Sequence, residues 1–303
     1  MKIFYGTIKN NIDVTQICFD KLKKGNKIII PNSDHRRASY FTDPLVGIEK
    51  KIIIFINGNI TKYDVSVKVI INLTNSIITT EREDQNIISK INNKLYDIHN
   101  NLILKYGNFN EELPEQKMAI RYLTGNEKVL EIGGNIGRNS LIIGYILNKN
   151  NNNNLVTLES NLDIASQLIE NRDINNLDFK IESSALSKRK LIQIGWNTIP
   201  SDILLDGYIS VNTITFDELE SKYNITFDTL VLDCEGAFYY ILLDMPEILN
   251  NIKLIIMEND YNDINHKMHI DNFLIKNNFY VDYRESGGWG PCYNNFFEVW
   301  KKD

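Results

Sequence analysis

Apolar positions in the first 80 residues fall in short runs that polar turns separate. Three of these runs are rich in β-branched residues: Lys27–Ile30, Lys51–Ile56 and 65–73. The last of them alternates apolar and polar side chains, as a strand with one buried face does. The pattern therefore predicts a small, β-rich N-terminal domain over residues 1–80.

After Glu83 the hydrophobic period changes from that of a strand to that of a helix. Five apolar residues follow one another at spacings of four, four, three and four: Ile87, Ile91, Leu95, Ile98 and Leu102. This spacing places them on one face of a helix. We assign residues 81–113 to a linking helix, whose apolar face packs against its own chain or pairs with a second copy in a homodimer.

From Pro114 onwards, predicted strands and helices alternate. The strands are 128–132, 155–159, 179–183, 229–233 and 254–258, and the helices are 115–123, 137–148, 163–174, 237–250 and 264–277. Such alternation predicts an α/β domain with a mostly parallel sheet that helices cover on both faces. Segments 279–285 and 296–300 predict an antiparallel hairpin that closes the sheet, so residues 114–303 form one domain.

Composition narrows the class of protein. The chain of 303 residues is 43% hydrophobic and 24% charged, as soluble globular proteins are, and its formal charge of -6 counts against nucleic acid as the main partner. Its three cysteines form no CxxC pair and no apolar run spans a membrane, so we expect a cytoplasmic protein without a membrane partner. The bias towards Asn and Ile suggests an AT-rich genome; for a viral protein the location would be the host cytoplasm.

A glycine-rich turn follows the first strand of the predicted sheet, and a helix begins directly after it. The residues of interest are Glu131, Gly133, Gly134, Asn135 and Gly137. Glycines let the backbone approach a ligand closely, and a helix start offers free N–H donors. A nicotinamide dinucleotide turn would need glycine at position 135. The pattern instead favours the amino acid part of S-adenosylmethionine as the ligand.

The ends of the second and third strands supply further residues for such a cofactor. Glu159 ends the second strand, where a carboxylate can accept hydrogen bonds from both ribose hydroxyls of an adenosine. Ser160 follows it directly. Ser184 and Ala185 follow the third strand, where the edge of an adenine would lie. We predict that these four residues and the glycine turn bind the cofactor.

Three carboxylates, Asp233, Glu235 and Glu258, lie at or just after the ends of the fourth and fifth strands. Because ligands of open α/β sheets bind at the carboxyl ends of the strands, we expect these groups to converge beside the cofactor. Crowded carboxylates raise one another's pKa, which suits a general base, or they jointly hold a divalent cation.

We assign the role of catalytic base to Asp233 first and to Glu258 second, and Asp233 also contacts the cofactor. Glu235 orients the acceptor or shares a metal. Asp233 and Glu258 are the candidate ligands of Mg²⁺. His266, on the helix after the fifth strand, is a further candidate base.

Together these motifs resemble those of FkbM-type methyltransferases, which belong to the class I, S-adenosylmethionine-dependent superfamily. The resemblance covers residues 114–300 and includes the glycine turn, Glu159, segments 215–219 and 233–236, and Glu258. It implies a Rossmann-like class I methyltransferase sheet. It also implies an O-methyltransferase that acts on a hydroxyl of a sugar, a glycan precursor or another small molecule.

The chain departs from the FkbM pattern at three positions. Ser160 stands where a proline is usual, Val231 where a lysine is common, and Phe238 where an acid is common. The last two departures argue against a role for charge at those positions, and Phe238 is a candidate for an apolar or sugar-stacking wall.

Two other functions remain open at this point. A nucleic-acid ribose 2′-O-methyltransferase usually resembles a Lys-Asp-Lys-Glu set, but no matching lysine accompanies Asp233 and the basic clusters 36–37 and 188–190 are small. A glycan-binding or docking protein with an inactive methyltransferase half would use Asp34–Phe41. We predict that segment to be a loop that gathers charged and aromatic side chains.

Overall fold

The chain folds into two compact units, Met1–Lys90 and Ile91–Asp303. The structure, a computed structural model, describes residues 1–45, 48–56, 58–82, 85–195 and 197–302. Glu83, where we place the change of hydrophobic period, lies outside the described residues. Among these ranges, no helix is long and apolar enough to cross a membrane.

The first unit contains two four-stranded antiparallel sheets, with strand orders β2-β1-β5-β6 and β3-β4-β7-β8. Its strands are β1 (Lys2–Gly6), β2 (Asn11–Asp13), β3 (Lys23–Lys24), β4 (Lys27–Ile30), β5 (Lys51–Ile56), β6 (Asn59–Tyr63), β7 (Val67–Asn72) and β8 (Ile78–Arg82). Ile3 and Ile54 from one sheet share a core with Ile28 and Val69 from the other. The three strands predicted from β-branched runs are thus confirmed, with the third shortened to β7.

Two short helices of this unit were not predicted: α1 (Thr15–Lys21) and α2 (Asp34–Phe41). The prediction of a loop at Asp34–Phe41 is therefore wrong. Arg37 is fully buried, and its guanidinium donates hydrogen bonds to four backbone carbonyls, those of Pro31, Tyr63, Asp64 and Val67. Phe41 is also buried, at 1% exposure. The segment thus places a cation and an aromatic ring in the interior, where partners distant in sequence satisfy the charge.

Helix α3 (Gln85–His99) spans the residues at which the two units divide. Leu95, Ile98 and Leu102 are buried in the core of the second unit, and Leu102 lies just beyond the end of the helix. Ile87 is 42% exposed. The predicted apolar face therefore packs into the core only in its second half.

The second unit is built on a seven-stranded sheet of order β11-β10-β9-β17-β18-β20-β19. The strands are β9 (Val129–Ile132), β10 (Leu155–Leu158), β11 (Lys180–Glu182), β17 (Thr229–Leu232), β18 (Leu254–Glu258), β19 (Tyr280–Glu285) and β20 (Phe297–Lys301). The first five strands of this order are parallel, whereas β20 is antiparallel to both of its neighbours. The chain reverses its direction of winding between β9 and β17, which is the switch point of a Rossmann-like sheet.

Besides the second half of α3, the described residues of this unit form the helices α4 (Leu113–Tyr122), α5 (Arg138–Asn148), α6 (Leu162–Asp173), α7 (Phe216–Tyr223), α8 (Phe238–Asp244) and α9 (Ile264–Lys276). Every residue of β9, β10 and β17 is buried, as strands covered on both faces are. The predicted strands of this unit are present with ends that differ by one residue at most. The mostly parallel sheet with a terminal antiparallel hairpin is thus confirmed.

Four features differ from the prediction. Helix α7 was not predicted, and the linking helix assigned to residues 81–113 ends at His99. The helix predicted at 237–250 ends at Asp244, and a 3₁₀ turn, Pro246–Leu249, follows. Proline at 246 removes a helical hydrogen bond and disfavours the helical conformation of the residue before it. Between β11 and α7 the chain adds five short strands that were not predicted: β12 (Ala185–Leu186), β13 (Leu191–Ile194), β14 (Asn197–Pro200), β15 (Ile209–Val211) and β16 (Thr213–Ile214). We call residues 185–214 the β-insertion.

The buried Arg37 provides a test of the first unit. Replacement Arg37→Met leaves four buried carbonyls without a donor, so we expect the free energy of unfolding to fall by about 3 kcal/mol or more. Urea denaturation followed by circular dichroism measures this loss. Arg36→Met, in the same helix, removes the same charge from a partly exposed side chain and should cost less than about 1 kcal/mol. Equal losses in the two variants would contradict a structural role for the Arg37 contacts.

Candidate functional site

A cavity of about 290 Å³ lies at the carboxyl ends of β9, β10, β11 and β17. This volume is close to the lower end of the range for small-molecule sites, about 300–1,000 Å³. Eight of the predicted site residues line it: Gly133, Asn135, Glu159, Ser160, Ser184, Ala185, Asp233 and Glu235. The switch point of the sheet therefore carries a pocket in which most of the predicted cofactor residues meet.

The glycine turn is packed too closely for side chains at its key positions. A Cβ atom on Gly133, whose φ is +92°, would lie 1.5 Å from the carbonyl oxygen of Asp233. On Gly137, with φ of +96°, it would lie 2.3 Å from Leu168 Cδ1. Gly134 and Gly137 do not line the cavity. The absence of side chains at these positions thus lets the turn pack against Asp233 and Leu168, and this packing brings Gly133 beside Asp233.

Glu159 faces the cavity with a carboxylate that the backbone holds in place. One oxygen accepts a hydrogen bond from the Asn135 N–H at 2.9 Å, and the other accepts one from the Asn161 N–H at 2.8 Å. Burial raises the pKa of this carboxyl, and the backbone hydrogen bonds oppose that shift. Because each oxygen has two lone pairs, each can still accept one hydrogen bond from a ligand. Glu159 can therefore hold the two hydroxyls of a ribose.

Glu131 lies outside the cavity wall, with only 2% of its surface exposed. Its carboxylate accepts hydrogen bonds from the Ser140 hydroxyl at 2.5 Å and from the Asn139 amide at 3.3 Å. Burial raises its pKa to about 7, although the hydrogen bonds from Ser140, Thr157 and Asn139 oppose the shift. In this position Glu131 ties β9 to the first turn of α5 and so supports the glycine turn from behind.

The predicted carboxylates at the strand ends belong to a larger group. Six acids, which we call the carboxylate cluster, interact there: Glu112, Glu115, Asp233, Glu235, Glu258 and Asp260. Burial, followed by the neighbouring negative charges, raises the pKa of Asp233 well above its ordinary value. Burial and the contact with Glu115 raise the pKa of Glu258 to about 11. For Asp260, burial and Glu235 raise the pKa to about 7.

Three members of the carboxylate cluster were missed from the sequence. Glu112 and Glu115 flank Pro114 at the start of α4, which packs against β18, and Asp260 follows β18. Glu112 is paired with Arg138 at 2.7 Å, and Asp260 accepts a hydrogen bond from the Gly236 N–H at 2.8 Å. Acids at helix starts are common for structural reasons, so nothing in the sequence distinguished Glu112 and Glu115.

His266 is not part of this group. Its ring stacks on that of Tyr239, with 3.8 Å between the ring centroids and 8° between the planes. It also meets the edge of Tyr240, whose side chain lines the cavity. One aromatic ring therefore separates His266 from the cavity, and the structure places it with tyrosines rather than beside Asp233.

The predicted magnesium site gains no support. Asp233 and Glu258 belong to the carboxylate cluster, but in the described part of the chain no three His, Cys, Asp or Glu side chains are arranged to hold a metal ion. The donor set does not fit a resident Mg²⁺.

The β-insertion forms a further wall of the cavity that the sequence did not reveal. Gln193, at 6% exposure, accepts a 3.4 Å hydrogen bond from the Ser160 hydroxyl, beside Glu159. Arg189 makes a two-pronged ion pair with Asp244 of α8, with distances of 2.5 and 2.7 Å. The insertion is thus joined both to the ribose end of the pocket and to α8. Lys188 also donates hydrogen bonds to the Asp244 carbonyl and to Glu247. Two side chains of the predicted basic cluster 188–190 are therefore already bonded to residues of α8 and the turn after it.

Comparison with known proteins gives likenesses of fold. No protein-family model matches the chain, and no curated protein matches it, so the resemblance to FkbM-type enzymes stays a prediction. Among solved structures the chain is similar to a ribosomal protein L11 methylase from Lactobacillus delbrueckii subsp. bulgaricus, with 13% identity, a TM-score of 0.39, and coverage of 66% of this chain and 82% of that one. It is also similar to a putative O-methyltransferase from Klebsiella pneumoniae, with 15% identity, a TM-score of 0.38, and coverage of 73% and 96%.

A third similar structure is the O-methyltransferase from Bacillus cereus in complex with SAH, with 15% identity, a TM-score of 0.39, and coverage of 73% of this chain and 92% of that one. All three of these structures are described as methylases or methyltransferases. At such identities and TM-scores the likenesses carry no conclusion about the activity or the substrate of this chain. The class that its own topology and site define is a Rossmann-like α/β protein with a nucleoside-sized pocket at the switch point.

The buried Glu131 gives the unfolding free energy a specific pH dependence. Its carboxyl titrates near 7 in the folded chain against an ordinary 4.5, so between these pH values the folded state keeps a proton that the unfolded state has released. Raising the pH across this window therefore destabilises the fold, by about 3 kcal/mol from this residue. We expect Glu131→Gln to be more stable than the unaltered chain at pH 8, with the advantage vanishing at pH 4.

Urea denaturation of both proteins at intervals from pH 4 to pH 8 measures this difference. Glu49→Gln, which changes an exposed glutamate of the first unit, should follow the unaltered chain throughout. Parallel curves for Glu131→Gln and the unaltered protein would contradict the assignment of a raised pKa to Glu131.

Proposed function

We propose that the protein is an S-adenosylmethionine-dependent O-methyltransferase that acts on a hydroxyl of a small molecule. The observation that carries the proposal is the junction of two features, a nucleoside-sized cavity that Glu159 faces and a carboxylate cluster that begins at Asp233 in the wall of the same cavity. Together they suit a nucleoside with a positively charged extension.

The charge of the site supports one of the two cofactors that Rossmann-like sheets commonly bind. A nicotinamide dinucleotide would bring two negative phosphates to the glycine turn, next to Asp233 and within the field of its neighbouring acids. S-Adenosylmethionine instead carries a sulfonium and an ammonium with a single carboxylate, so its net charge is positive. Since like charges at short range cost free energy and opposite charges gain it, the cluster favours the sulfonium cofactor.

The cavity residues fit the two ends of that cofactor. Glu159 would accept hydrogen bonds from the ribose hydroxyls, while Ser184, Ala185 and Gln193 would surround the base. When bound, S-adenosylmethionine supplies a methyl group whose bond to sulfur breaks, leaving its electrons on sulfur, as a bond to the acceptor oxygen forms. Asp233 would take the proton that the acceptor hydroxyl loses, which is general base catalysis worth roughly 10²–10⁴-fold.

A raised pKa makes Asp233 a stronger base but leaves it protonated until a cation approaches. The positive charge of a bound sulfonium favours the ionised carboxylate, so binding itself would prepare Asp233 to accept a proton. Glu258 is the second candidate, and Glu235 would orient the acceptor. His266 is the weakest candidate, because Tyr239 and Tyr240 hold its ring away from the carboxylates.

Nothing in the described residues favours the nucleic-acid alternative. Of the two basic clusters that the sequence offered, one contains the buried Arg37 and the other is bonded to Asp244 and Glu247. The carboxylate cluster would repel a polyanion. These observations support a small-molecule acceptor over a nucleic-acid strand.

Calorimetric titration with S-adenosylmethionine and S-adenosylhomocysteine tests the proposal. We expect saturable binding near one ligand per chain, the same with and without Mg²⁺. Glu159→Ala removes charged acceptors for two hydroxyls and should raise the Kd for S-adenosylhomocysteine at least tenfold, because a hydrogen bond to a charged group contributes about 1.5–3 kcal/mol.

Glu170→Ala is the matched control for this experiment, since it truncates an exposed glutamate outside the cavity, and its Kd should be unchanged. Thermal unfolding verifies that both variants are folded. No binding of either ligand to the unaltered protein would overturn the proposed function. Normal binding by Glu159→Ala would refute only the position of the ribose.

The number of protons released on ligand binding distinguishes the effect of the cofactor's charge from the effect of its shape. The two ligands differ by one methyl group and one positive charge, so at pH 7 we expect S-adenosylmethionine to displace more protons from the carboxylate cluster than S-adenosylhomocysteine does, by up to about one per chain. Titrations in two buffers of different ionisation enthalpy measure this number.

Asp233→Asn should reduce that difference while S-adenosylhomocysteine still binds, and turnover on any accepted hydroxyl should be lost. Asp263→Asn, at the exposed N-cap of α9, should behave like the unaltered chain. If the two ligands release equal numbers of protons in the unaltered protein, the cluster does not respond to the sulfonium charge and Asp233 loses its support as the base.

A further inference from the structure

The two units of the chain carry formal charges of opposite sign. Residues 1–90 contain 14 Lys and Arg against 9 Asp and Glu, a charge of +5, and residues 91–303 contain 19 against 30, a charge of -11. Such an asymmetry between the parts of a chain indicates an anionic partner for the basic part. Every residue used in the proposed function lies in the second unit, so that function leaves the charge of the first unit unexplained.

Exposed lysines gather at one end of the second sheet of the first unit. Four of them form what we call the lysine cluster: Lys21 at the end of α1, Lys23 and Lys24 in β3, and Lys27 at the start of β4. Residues 21–33 and 65–80, which supply β3, β4, β7 and the start of β8, contain no Asp or Glu. Among the described residues Lys21, Lys23 and Lys27 make no ion pair, so their charges are open to a partner.

Folding alone does not account for the lysine cluster. Lys24 and Lys27 are directly opposite each other in the antiparallel pair of β3 and β4, and like charges in that register are destabilising. Since β3 is an edge strand, its lysines also prevent pairing with other chains. That role explains Lys23 and Lys24 but not Lys21 and Lys27, which lie outside β3. An anionic partner would offset the repulsion that the fold keeps.

A second turn lies beside the lysine cluster and adds an exposed apolar side chain. The Leu73 N–H donates a hydrogen bond to the Asn26 carbonyl at 2.8 Å, and the Asn26 amide donates one to the Thr74 hydroxyl at 3.3 Å. The β3–β4 and β7–β8 turns are therefore adjacent. Ile77, in the β7–β8 turn, is 55% exposed. An apolar side chain that protrudes among lysines suits the boundary between the headgroups and the acyl chains of an anionic bilayer.

Nucleic acid is the other common polyanion, and the composition of this surface favours it less. Residues 21–33 and 65–80 contain no Arg and no aromatic residue. Arginine binds phosphate through two parallel hydrogen bonds and aromatic rings stack on bases, so both are typical of nucleic-acid interfaces. The exposed Ile77 would have no role in such a contact. Our expectation of no membrane partner rested on the lack of an apolar run that spans a bilayer, and a surface contact needs no such run.

We propose that the lysine cluster and Ile77 dock the first unit on an anionic membrane surface. The lysines would pair with the negative headgroups, and the isoleucine would enter the boundary beneath them. Four lysines with one apolar side chain give reversible binding that salt weakens, because the charges remain close to water. The proposal is independent of the proposed function, since it uses no residue of the cavity.

Co-sedimentation with lipid vesicles tests the proposal on the full chain without any cofactor. We expect the protein to bind vesicles of phosphatidylcholine that contain phosphatidylserine, and to stay in the supernatant with vesicles of phosphatidylcholine alone. At about 0.5 M NaCl, where exposed charges are largely screened, most of the bound protein should be released. Equal binding to the two kinds of vesicle, or binding to neither, would overturn the proposal.

The double variant Lys23→Gln/Lys27→Gln tests the lysine cluster itself. Because one lysine near an anionic surface contributes about fivefold to binding, the vesicle partition coefficient should fall about 25-fold. The control Lys253→Gln/Lys276→Gln removes the same charge from exposed lysines of the second unit and should bind as the unaltered chain does. Similar losses in the two double variants would mean that net charge governs binding, which would reject the lysine cluster as the docking site. Thermal unfolding verifies that each variant is folded.

Ile77→Ser tests the apolar part of the contact. The partition coefficient should fall about threefold or more, with the same relative decrease in high salt as in the unaltered chain, because salt does not screen an apolar contact. Ile60→Ser changes an isoleucine that is 64% exposed on β6, in the other sheet, and should have no effect. An unchanged coefficient in Ile77→Ser would contradict insertion into the bilayer, and with it the choice of a membrane as the partner.

A labelled single-stranded RNA and a labelled DNA duplex are titrated in parallel. If either binds at a lower protein concentration than the anionic vesicles do, and Lys23→Gln/Lys27→Gln abolishes that binding, the lysine cluster belongs to nucleic acid and the membrane proposal fails. None of these measurements involves S-adenosylmethionine. Failure of the proposed function would therefore leave this test intact, and failure of this proposal would leave the proposed function untouched.

Discussion

The arrangement of the site depends on one contact that leaves no room for a side chain. Gly133 lies so close to the Asp233 carbonyl that any Cβ would overlap it, which fixes the ends of β9 and β17 together at the switch point. The Asn135 N–H of the same turn donates a hydrogen bond to Glu159, which follows β10, so the end of that strand is also held against the turn. Three strands that are far apart in sequence thus meet around one backbone turn, and the cavity is the space that this packing leaves beside it.

The carboxylate cluster shows a conflict between folding and function. Burial of neighbouring acids is unfavourable for the isolated chain, since each raises the pKa of the next and the cluster is relieved only by protonation or by a cation. An ion pair within the protein would remove that cost but would also occupy the site. Glu112 pairs with Arg138 in this way, whereas Glu115 and Glu258 share a hydrogen bond that requires one of the two carboxyls to be protonated.

The sequence predicted those parts of the fold that local patterns determine. The buried apolar runs of β9, β10, β17 and β18 identified the central strands and the positions of Glu159 and Asp233 at their ends. The β-insertion was missed because strands such as β14 are short and largely exposed, and only pairing with distant segments stabilises them. Helix α2 was missed for a similar reason, because the carbonyls that satisfy Arg37 come from residues 26 to 30 positions later. Glu115 could not be distinguished from any other acid at the start of a helix.

Glu159 illustrates how little freedom such a site leaves to sequence change. Each of its two oxygens accepts a hydrogen bond from a backbone N–H group, and the residue also lines the cavity. Aspartate at this position would be one methylene too short to reach both amides, and glutamine would turn an NH₂ group towards one of them. Substitution of Glu159 would therefore change both the shape of the glycine turn and the recognition of the ligand, because one side chain serves both.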